Sequence, residues 1–456
     1  MHSGMKDLKR ILLVNPWIED VAAYDYWLKP IGLLYISAIL RNAGIETDLV
    51  DCLDRHDPEL ANHTGHLFVD RYYGTGKFYS EVISKPECMK WIPRRFKRYG
   101  FPPELLRKKL RKLPEIDAVF VTSIMTYWHY GVSDCISVIR DEIQGVPIVL
   151  GGIYASLIPD HAQRYSGADA VFPGMGITPV KRALQYLGMN RKIEENWFRF
   201  LKPDYDHYER LSHAVVITST GCPFRCSYCA GWSLWGSFNQ CDVTHTADII
   251  KELVEERNVK DIAFFDDALL INPGFKDLLD MLAREDLDAR FHLPNGVHTR
   301  LLDEQTVRLF KQCNFKTINL ALETVNEDVM RKTGDKVSST DFSRAVKLLN
   351  SQGFGPKEIS AYIIANLPGQ SFQDVKRAIE FCEDSGVVPK INELTPIPGT
   401  ELWKELTACG SIPEDIDPLM LNNSLLPYWW EDGLSLEELQ ELKSIANVIK
   451  EQLTNV

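Results

Sequence analysis

Short apolar runs alternate with stretches of helical periodicity over the first 181 residues. RILLVNP at 10–16 indicates a buried strand, and IGLLYISAILRNAG at 31–44 carries apolar residues at helical spacing before a terminal glycine. Further apolar runs predict strands at 47–51, 117–123, 147–152 and 168–174. This alternation predicts an α/β domain over 1–181, with a doubly wound parallel sheet whose ligand site lies beyond the carboxyl ends of its strands.

Residues 53–115 interrupt the alternation. The insertion is too long for a simple crossover, so we expect it to cap the ligand edge of the sheet. It ends in a basic stretch, WIPRRFKRYGFPPELLRKKLRKLP. A solvated helix face is the simpler interpretation of this charge. The alternative is contact with an anionic group such as phosphate, made by Arg94, Arg95, Lys97 and Arg98.

A polar and aromatic connector at 182–211 leads to a second alternating region at 212–402. Its apolar runs predict strands at 214–220, 261–267, 289–296, 317–324, 359–369 and 390–399. Six strand–helix units indicate a partial (β/α)6 barrel of the TIM type, with its chemistry at the carboxyl ends of the strands. The sequence pattern at 403–456 predicts a small helical C-terminal region. Its clearest helix, 434–453, has Ser435 as N-cap and Glu438 at capping-box spacing.

The charge and the apolar runs narrow the classes of protein to consider. The 456 residues carry a formal net charge of −12, which argues against a nucleic-acid partner or an anionic membrane surface. No segment approaches the ~20 apolar residues of a membrane span. The first residues lack the apolar core and cleavage site of a signal peptide. We therefore expect a cytoplasmic protein.

Three of the ten cysteines form a cluster, and the other seven are scattered. TGCPFRCSYCAG at 220–231 places Cys222, Cys226 and Cys229 at C-x3-C-x2-C spacing. Structural zinc usually takes four ligands, often as two C-x2-C pairs, and the chain has no second pair. Three thiols on one loop after a barrel strand suit a cubane iron–sulfur cluster with one iron left open for a ligand.

CPFRCSYC resembles the signature of the radical S-adenosylmethionine superfamily, including the aromatic Tyr228 before the third cysteine. The resemblance implies a 4Fe-4S cluster on Cys222, Cys226 and Cys229, whose open iron chelates S-adenosylmethionine. One electron from the cluster then cleaves the sulfonium and gives a 5′-deoxyadenosyl radical, which abstracts hydrogen from an organic substrate. A flavodoxin or ferredoxin is the electron donor expected for the superfamily. The cofactors carry the chemistry, while the protein supplies placement and exclusion of water.

Later motifs follow the order of the same superfamily. FFDDALL, ALET, ANLPGQ at 365–370 and TPIPGTEL at 395–402 resemble its S-adenosylmethionine-binding segments, although the G-G-E glycines are absent. The resemblance covers about 212–402. The candidates that it implies for S-adenosylmethionine binding are Tyr228, Asp266, Asp267, Glu323, Asn366 and Pro396.

Plain structural roles compete with each of these assignments. The two aspartates can cap a strand end, Glu323 can close a salt bridge, and Tyr228 can serve packing alone. Proline and glycine segments shape loops as readily as they contact ligands. His298, in NGVHTR, is better interpreted as a satisfied hydrogen-bonding residue than as a catalyst. No catalytic residue is assigned from the sequence.

The first region resembles the Rossmann-like cobalamin-binding domain that often precedes a radical S-adenosylmethionine barrel. The NPW, VTS, LGGIYASL and GMG segments carry the resemblance. The candidate cobalamin contacts that it implies are Pro16, Thr122, Ser123, Gly151, Gly152, Ile153, Tyr154 and Gly174. The D-x-H-x-x-G motif that supplies a histidine to cobalt is absent after the first strand. Its absence removes one cobalt ligand without excluding the cofactor.

The resemblance implies a cobalamin-dependent methyltransferase acting on an unactivated carbon of an unidentified substrate. Two alternatives stay open at this point. One is a radical enzyme of non-methylating type, catalysing cyclisation or rearrangement, whose first domain binds no cobalamin. The other is a non-enzymatic sensor that binds metal or cobalamin. Because fold does not settle function, the sites have to decide between them.

Overall fold

The computed structural model describes residues 9–189 and 191–455. The chain separates into two compact units. The first comprises residues up to 212 together with Asp417–Met420, and the second comprises His213–Ile416 and the residues from Leu421 onward. The connector at 182–211 is therefore part of the first unit. Among the described residues, every helix is too short or too polar to span a bilayer.

The first unit is built on a five-stranded parallel sheet. The strands of this unit are β1 Arg10–Asn15, β2 Ile18–Asp20, β3 Glu46–Asp51, β4 Ser80–Val82, β5 Lys97–Tyr99, β6 Ala118–Val121, β7 Ile148–Leu150 and β8 Ala170–Val171. Its helices are α1 Ile31–Asn42, α2 Pro58–Thr64, α3 Pro103–Leu110, α4 His129–Glu142, α5 Ile153–Leu157, α6 Pro159–Tyr165 and α7 Ile177–Tyr186. The parallel sheet runs in the order β3-β1-β6-β7-β8. The predicted doubly wound α/β fold is confirmed.

Alternate residues of β1 divide between two hydrophobic cores, as the period of two in a strand requires. Leu12 and Val14 pack into one core, which includes residues of α3 and α4. Ile11 and Leu13 pack into the other, which includes residues of α1 and α7. Both faces of the sheet are thus covered by helices, which explains why the strand reads as a continuous apolar run.

Residues 53–115 contain structure that the sequence pattern does not indicate. β5 pairs antiparallel with both β2 and β4, forming a small second sheet. The Arg98 guanidinium contacts Glu19 at 3.1 Å and lies 5.0 Å from the Trp17 ring. On α3, Arg107 pairs with Glu142 at 3.1 Å. Carboxylates of the same unit therefore neutralise these two cations, so the charge of Arg98 is accounted for without a phosphate.

The second unit contains a six-stranded, all-parallel sheet that follows chain order, β9-β12-β13-β14-β15-β16. The strands of this unit are β9 Ala214–Val216, β10 Ser219–Thr220, β11 Asn239–Gln240, β12 Asp261–Phe264, β13 Arg290–Val297, β14 Phe315–Glu323, β15 Ile359–Ala365 and β16 Val388–Glu393. Its helices are α8 Gly231–Trp235, α9 Val243–Glu255, α10 Phe275–Glu285, α11 Glu304–Gln312, α12 Glu327–Lys332, α13 Ser339–Ser351, α14 Phe372–Asp384, α15 Glu401–Ala408 and α16 Leu436–Thr454. This is the predicted partial barrel.

One strand of the barrel differs from its prediction. The run at 214–220 is divided, because β9 ends at Val216 and β10 turns away to pair antiparallel with β11. The chain therefore leaves the barrel wall before it reaches the cysteine loop. At the other end of the unit, Ser435 and Glu438 form the predicted capping box at the start of α16.

Candidate active site

The cysteine loop borders a cavity in the second unit, beside the carboxyl ends of its first three strands. Cys222, Cys226 and Cys229 line this cavity, and so do Tyr228, Asp266 and Asp267. Phe224, Asn295, His298 and Lys336 line it as well. A concave site with an apolar lining and a few polar side chains is typical of a small-molecule or cofactor site. The structure thus brings six of the predicted site residues to one place.

Glycines fix the path of the cysteine loop. Gly221 has φ +82°, and a Cβ on it would lie 2.1 Å from the Ser237 carbonyl oxygen. Gly334 has φ +112°, and a Cβ there would lie 3.1 Å from the Cys226 Cα. Both positions combine a left-handed backbone with a close approach of another segment, which only glycine tolerates. The cysteines are therefore held by packing between backbone segments rather than by a flexible loop.

The donor set fits the cluster that the spacing suggests. Burial raises the pKa of the Cys222 thiol to about 11 and also raises those of Cys226 and Cys229. In the described residues, no three histidine, cysteine, aspartate or glutamate side chains are close enough together to hold a single metal ion. A cubane differs from a single ion because each thiolate binds a different iron. Three thiols on the wall of one cavity suit that requirement.

Asp266 organises the entry to the cysteine loop. Its side chain is buried and accepts hydrogen bonds from the Thr218 N–H at 3.0 Å, the Thr218 hydroxyl at 2.7 Å and the Ser219 hydroxyl at 2.6 Å. Its backbone carbonyl accepts from the Asn295 amide at 3.1 Å. Burial raises the pKa of Asp266 to about 6, although these bonds oppose the shift. The acceptors of Asp266 are therefore engaged by the protein itself.

Replacing Asp266 by alanine is expected to lower the free energy of unfolding by about 3 kcal/mol, because the Thr218 and Ser219 donors lose their buried acceptor. Thermal unfolding of the cluster-free protein measures this. Asp267→Ala is the matched control, since Asp267 is exposed and no comparable set of donors surrounds it. Equal unfolding midpoints for the two variants would contradict the organising role of Asp266.

Asp267 differs from Asp266 in its exposure at the cavity. Its side chain is exposed at the cavity, yet the surrounding protein still desolvates the carboxyl and raises its pKa. The Gly221 N–H opposes this shift by hydrogen bonding. Of the two candidates after β12, Asp267 is therefore the one whose side chain is exposed at the cavity.

Glu323 and Lys336 form an ion pair at 2.8 Å. Glu323 ends β14 at a register irregularity, where its φ of +65° sets it apart from the regular strand. Lys336 lines the cavity, whereas Glu323 is not one of the lining residues. Burial lowers the pKa of Lys336, but Glu323 and the nearby thiols outweigh that effect and raise it. The sequence pattern does not single out Lys336, because its partner lies 13 positions away on another element.

Tyr228 and Asn366 have contacts that explain their burial. Tyr228 packs against a hydrophobic cluster that includes Leu402 and Leu406 of α15. Burial is the main cause that raises its pKa. Asn366, at φ +73°, accepts a hydrogen bond from the Leu434 N–H at 2.7 Å. Asn366 and Pro396 are buried but do not line the cavity, so the structure does not bring them to the cysteines.

The strand order of the first unit reverses between β1 and β6. Pro16 follows β1, and Thr122 and Ser123 follow β6, so these candidates flank the topological switch point. Ligands of open α/β sheets bind in the crevice at such a point, outside the carboxyl ends of the strands. The predicted cobalamin contacts thus lie at the edge where this fold places ligands.

Backbone packing accounts for Gly152 and Ser123. Gly152 has φ +90°, and a Cβ on it would lie 2.3 Å from the Ser123 carbonyl oxygen. The Ser123 hydroxyl donates to the Gly151 carbonyl at 2.8 Å. A Cβ on Gly151, by contrast, would meet no atom closer than 4.0 Å. Gly152 and Ser123 therefore shape the edge, while Gly151 leaves open space beside it.

The three remaining cobalamin candidates, Ile153, Tyr154 and Gly174, differ in how deeply they are buried. Tyr154 is completely buried in a hydrophobic core, and its hydroxyl bonds His161 at 2.8 Å. Its side chain presents no surface to a ligand in this structure, and its role as a cobalamin contact stays a prediction. Ile153 is only partly buried. Gly174, at φ +113°, donates its N–H to the Ser156 hydroxyl at 2.9 Å.

Comparison with known proteins identifies a domain that contains the three cysteines of the cavity. Residues 216–382 match the model of the Radical SAM superfamily. An uncharacterized methyltransferase of Pyrococcus horikoshii is 23% identical over 365 residues, which are 72% of this chain and 74% of the relative. Superfamily domains of this type bind a 4Fe-4S cluster and S-adenosylmethionine, the ligands that the cavity fits.

Two solved structures share the fold over most of the chain. The radical S-adenosylmethionine methyltransferase TsrM from Kitasatospora setae, with cobalamin and a 4Fe-4S cluster bound, has a TM-score of 0.63 at 16% identity, covering 89% of this chain and 79% of its own. The cobalamin-dependent radical enzyme OxsB, with aqua-cobalamin and S-adenosylmethionine bound, has a TM-score of 0.63 at 12% identity, covering 98% and 72%. Residues 216–382 are therefore a domain of the radical S-adenosylmethionine superfamily, and most of the chain, including its first unit, shares the fold of these two solved structures.

Proposed function

We propose that the protein is a cobalamin-dependent methyltransferase that acts on an unactivated carbon of an organic substrate. The observation that carries the proposal is the presence of two ligand edges in one chain. The second unit has three thiols at one cavity, and the first has its candidates at the switch point of the sheet. The names of the Pyrococcus relative and of TsrM support methyl transfer.

In this proposal the cluster and S-adenosylmethionine supply a 5′-deoxyadenosyl radical, and cobalamin supplies the methyl group. The residues of the chain hold and shelter these groups. Cys222, Cys226 and Cys229 bind the irons, and Asp267 faces the ammonium group of S-adenosylmethionine. Lys336 keeps a positive charge at the cavity, paired with Glu323. The apolar side chains that line the rest of the cavity limit the access of water.

At the first unit, Pro16, Thr122, Ser123, Ile153 and Gly174 border the space for the corrin and its tail. Gly151 leaves its Cα open to close approach by a ligand. Thr122 is partly exposed at the end of β6 and offers a hydroxyl for hydrogen bonding. Asn366 and Pro396 remain candidates for the adenosine part of S-adenosylmethionine, on the resemblance of their segments.

The proposal is tested on protein purified without oxygen and reconstituted with iron, sulfide and hydroxocobalamin. We expect a corrin absorption band that persists through gel filtration, and 5′-deoxyadenosine formed from S-adenosylmethionine under dithionite. Formation of 5′-deoxyadenosine without retained corrin would favour the non-methylating enzyme. Retained corrin or iron with no cleavage of S-adenosylmethionine under any reductant would favour the sensor.

A further inference from the structure

His298 is a buried histidine whose ring nitrogens have no hydrogen-bond partner among the described residues. Its exposed fraction is 7%, and neither Nδ1 nor Nε2 makes a hydrogen bond within the part of the chain that the structure describes. Unsatisfied buried polar atoms are rare in folded proteins, and each costs about 1–3 kcal/mol. No protein group among the described residues therefore satisfies the ring, contrary to the interpretation of His298 as a satisfied hydrogen-bonding residue.

His292, six positions earlier on β13, shows what a structural histidine looks like in the same barrel. It is fully buried, and its Nε2 lies 3.0 Å from Asp261 Oδ1 while its Nδ1 lies 3.1 Å from the Thr317 hydroxyl. Both nitrogens of His292 are thus engaged by protein groups. The barrel therefore provides hydrogen-bond partners for both ring nitrogens of a buried histidine that has a structural role.

The surroundings of His298 indicate where its partner comes from. The side chain lines the cavity that the three cysteines border. Its ring packs on Phe224 with the centroids 4.4 Å apart. Phe224 lies between Cys222 and Cys226 in the chain, so the ring sits against the cysteine loop itself. A ligand held at this cavity would therefore lie close to the imidazole.

The charge of the imidazole suits a cationic ligand. Burial, together with the positive charges of Lys336 and Arg300, lowers the pKa of His298 to about 4. The ring is therefore neutral near pH 7, with one nitrogen as donor and the other as acceptor. A neutral ring does not repel a sulfonium. S-adenosylmethionine offers both acceptors, in its carboxylate, and donors, in its ammonium and hydroxyl groups.

We propose that His298 hydrogen-bonds directly to S-adenosylmethionine and positions it at the cluster. The inference rests on one part of the proposed function, the binding of S-adenosylmethionine at the three-thiol cavity. It does not require that the protein binds cobalamin or transfers a methyl group. His298 is a residue for ligand binding in this proposal, left unsatisfied in the free protein because the ligand completes its hydrogen bonds.

Two measurements on three variants test the proposal. His298→Leu and His298→Gln are compared with His292→Leu, the matched control. Thermal unfolding of the cluster-free proteins comes first. Removing an unsatisfied polar group should leave the midpoint of His298→Leu unchanged or raise it. His292→Leu removes the hydrogen bonds of His292 to Asp261 and Thr317 and should lower the midpoint by about 5 °C or more.

Calorimetric titration with S-adenosylmethionine follows, without substrate, on wild type and both His298 variants matched for iron content. We expect His298→Leu to raise the Kd at least about tenfold, which corresponds to the loss of one or more hydrogen bonds to a ligand. His298→Gln, which keeps a donor and an acceptor, should recover part of the affinity.

Two results would overturn the proposal. One is a fall in the unfolding midpoint of His298→Leu as large as that of His292→Leu, or a failure to fold, because His298 would then be structural. The other is an unchanged Kd for S-adenosylmethionine in His298→Leu, which would assign the nitrogens to a different ligand. Failure to retain cobalamin would affect neither measurement.

Discussion

Cys226→Ser is expected to remove the iron–sulfur cluster and to reduce cleavage of S-adenosylmethionine to background. Wild type should bind about four irons per chain after reconstitution without oxygen. A cubane that loses one of only three protein ligands has no replacement on this loop, since the described neighbours of the thiols include no fourth cysteine. Iron and sulfide assays, the visible absorption of the cluster and the yield of 5′-deoxyadenosine measure the change.

The control is Cys409→Ser, because Cys409 is exposed on the C-terminal side of α15 and outside the cavity. It should keep the iron content and the cleavage of wild type. Thermal unfolding of the cluster-free variants separates loss of the ligand from loss of the fold. Wild-type cleavage by Cys226→Ser would contradict the assignment of the thiol trio, and so would zinc bound in place of iron.

Local patterns were sufficient to predict the main architecture. Strands such as β1 and β6 carry continuous apolar runs because helices cover both faces of their sheet, and that burial is visible in the sequence. The capping box at Ser435 and the spacing of the cysteines are also local. The pairing of β5 with β2 and β4 is not, because three-residue strands carry no readable period and their partners are distant in the chain.

The site was predictable in part for the same reason. The cysteines and Asp267 follow strands, and strand ends meet at one edge of a parallel sheet. Whether a side chain at that edge is free or engaged depends on contacts made across the fold. Asp266 is engaged by Thr218 and Ser219, which lie 48 and 47 positions earlier. The His298 ring nitrogens, by contrast, meet no hydrogen-bonding group among the described residues. No sequence signal distinguishes His298 from His292, whose nitrogens are both bonded.

Gly152→Ala is expected to destabilise the first unit by about 3 kcal/mol or more and to abolish retention of cobalamin. The added Cβ would lie 2.3 Å from the Ser123 carbonyl oxygen and 2.6 Å from the Ser123 nitrogen, both backbone atoms that cannot rotate away. The φ of +90° adds strain for any residue with a side chain. The ends of β6 and β7 must therefore separate, and the switch-point crevice changes shape.

Gly151→Ala is the informative companion, because its Cβ meets nothing closer than the Phe172 carbonyl oxygen at 4.0 Å. Its unfolding midpoint should equal that of wild type, while that of Gly152→Ala falls by about 6 °C or more.

If the tail of cobalamin passes over Gly151, Gly151→Ala should weaken retention of hydroxocobalamin at least about tenfold with the fold intact. Cleavage of S-adenosylmethionine by Gly151→Ala should persist, because the cysteines lie in the other unit. Wild-type retention of cobalamin by both variants would show that this edge is not the corrin site, since the clash at Gly152 cannot leave the crevice unchanged.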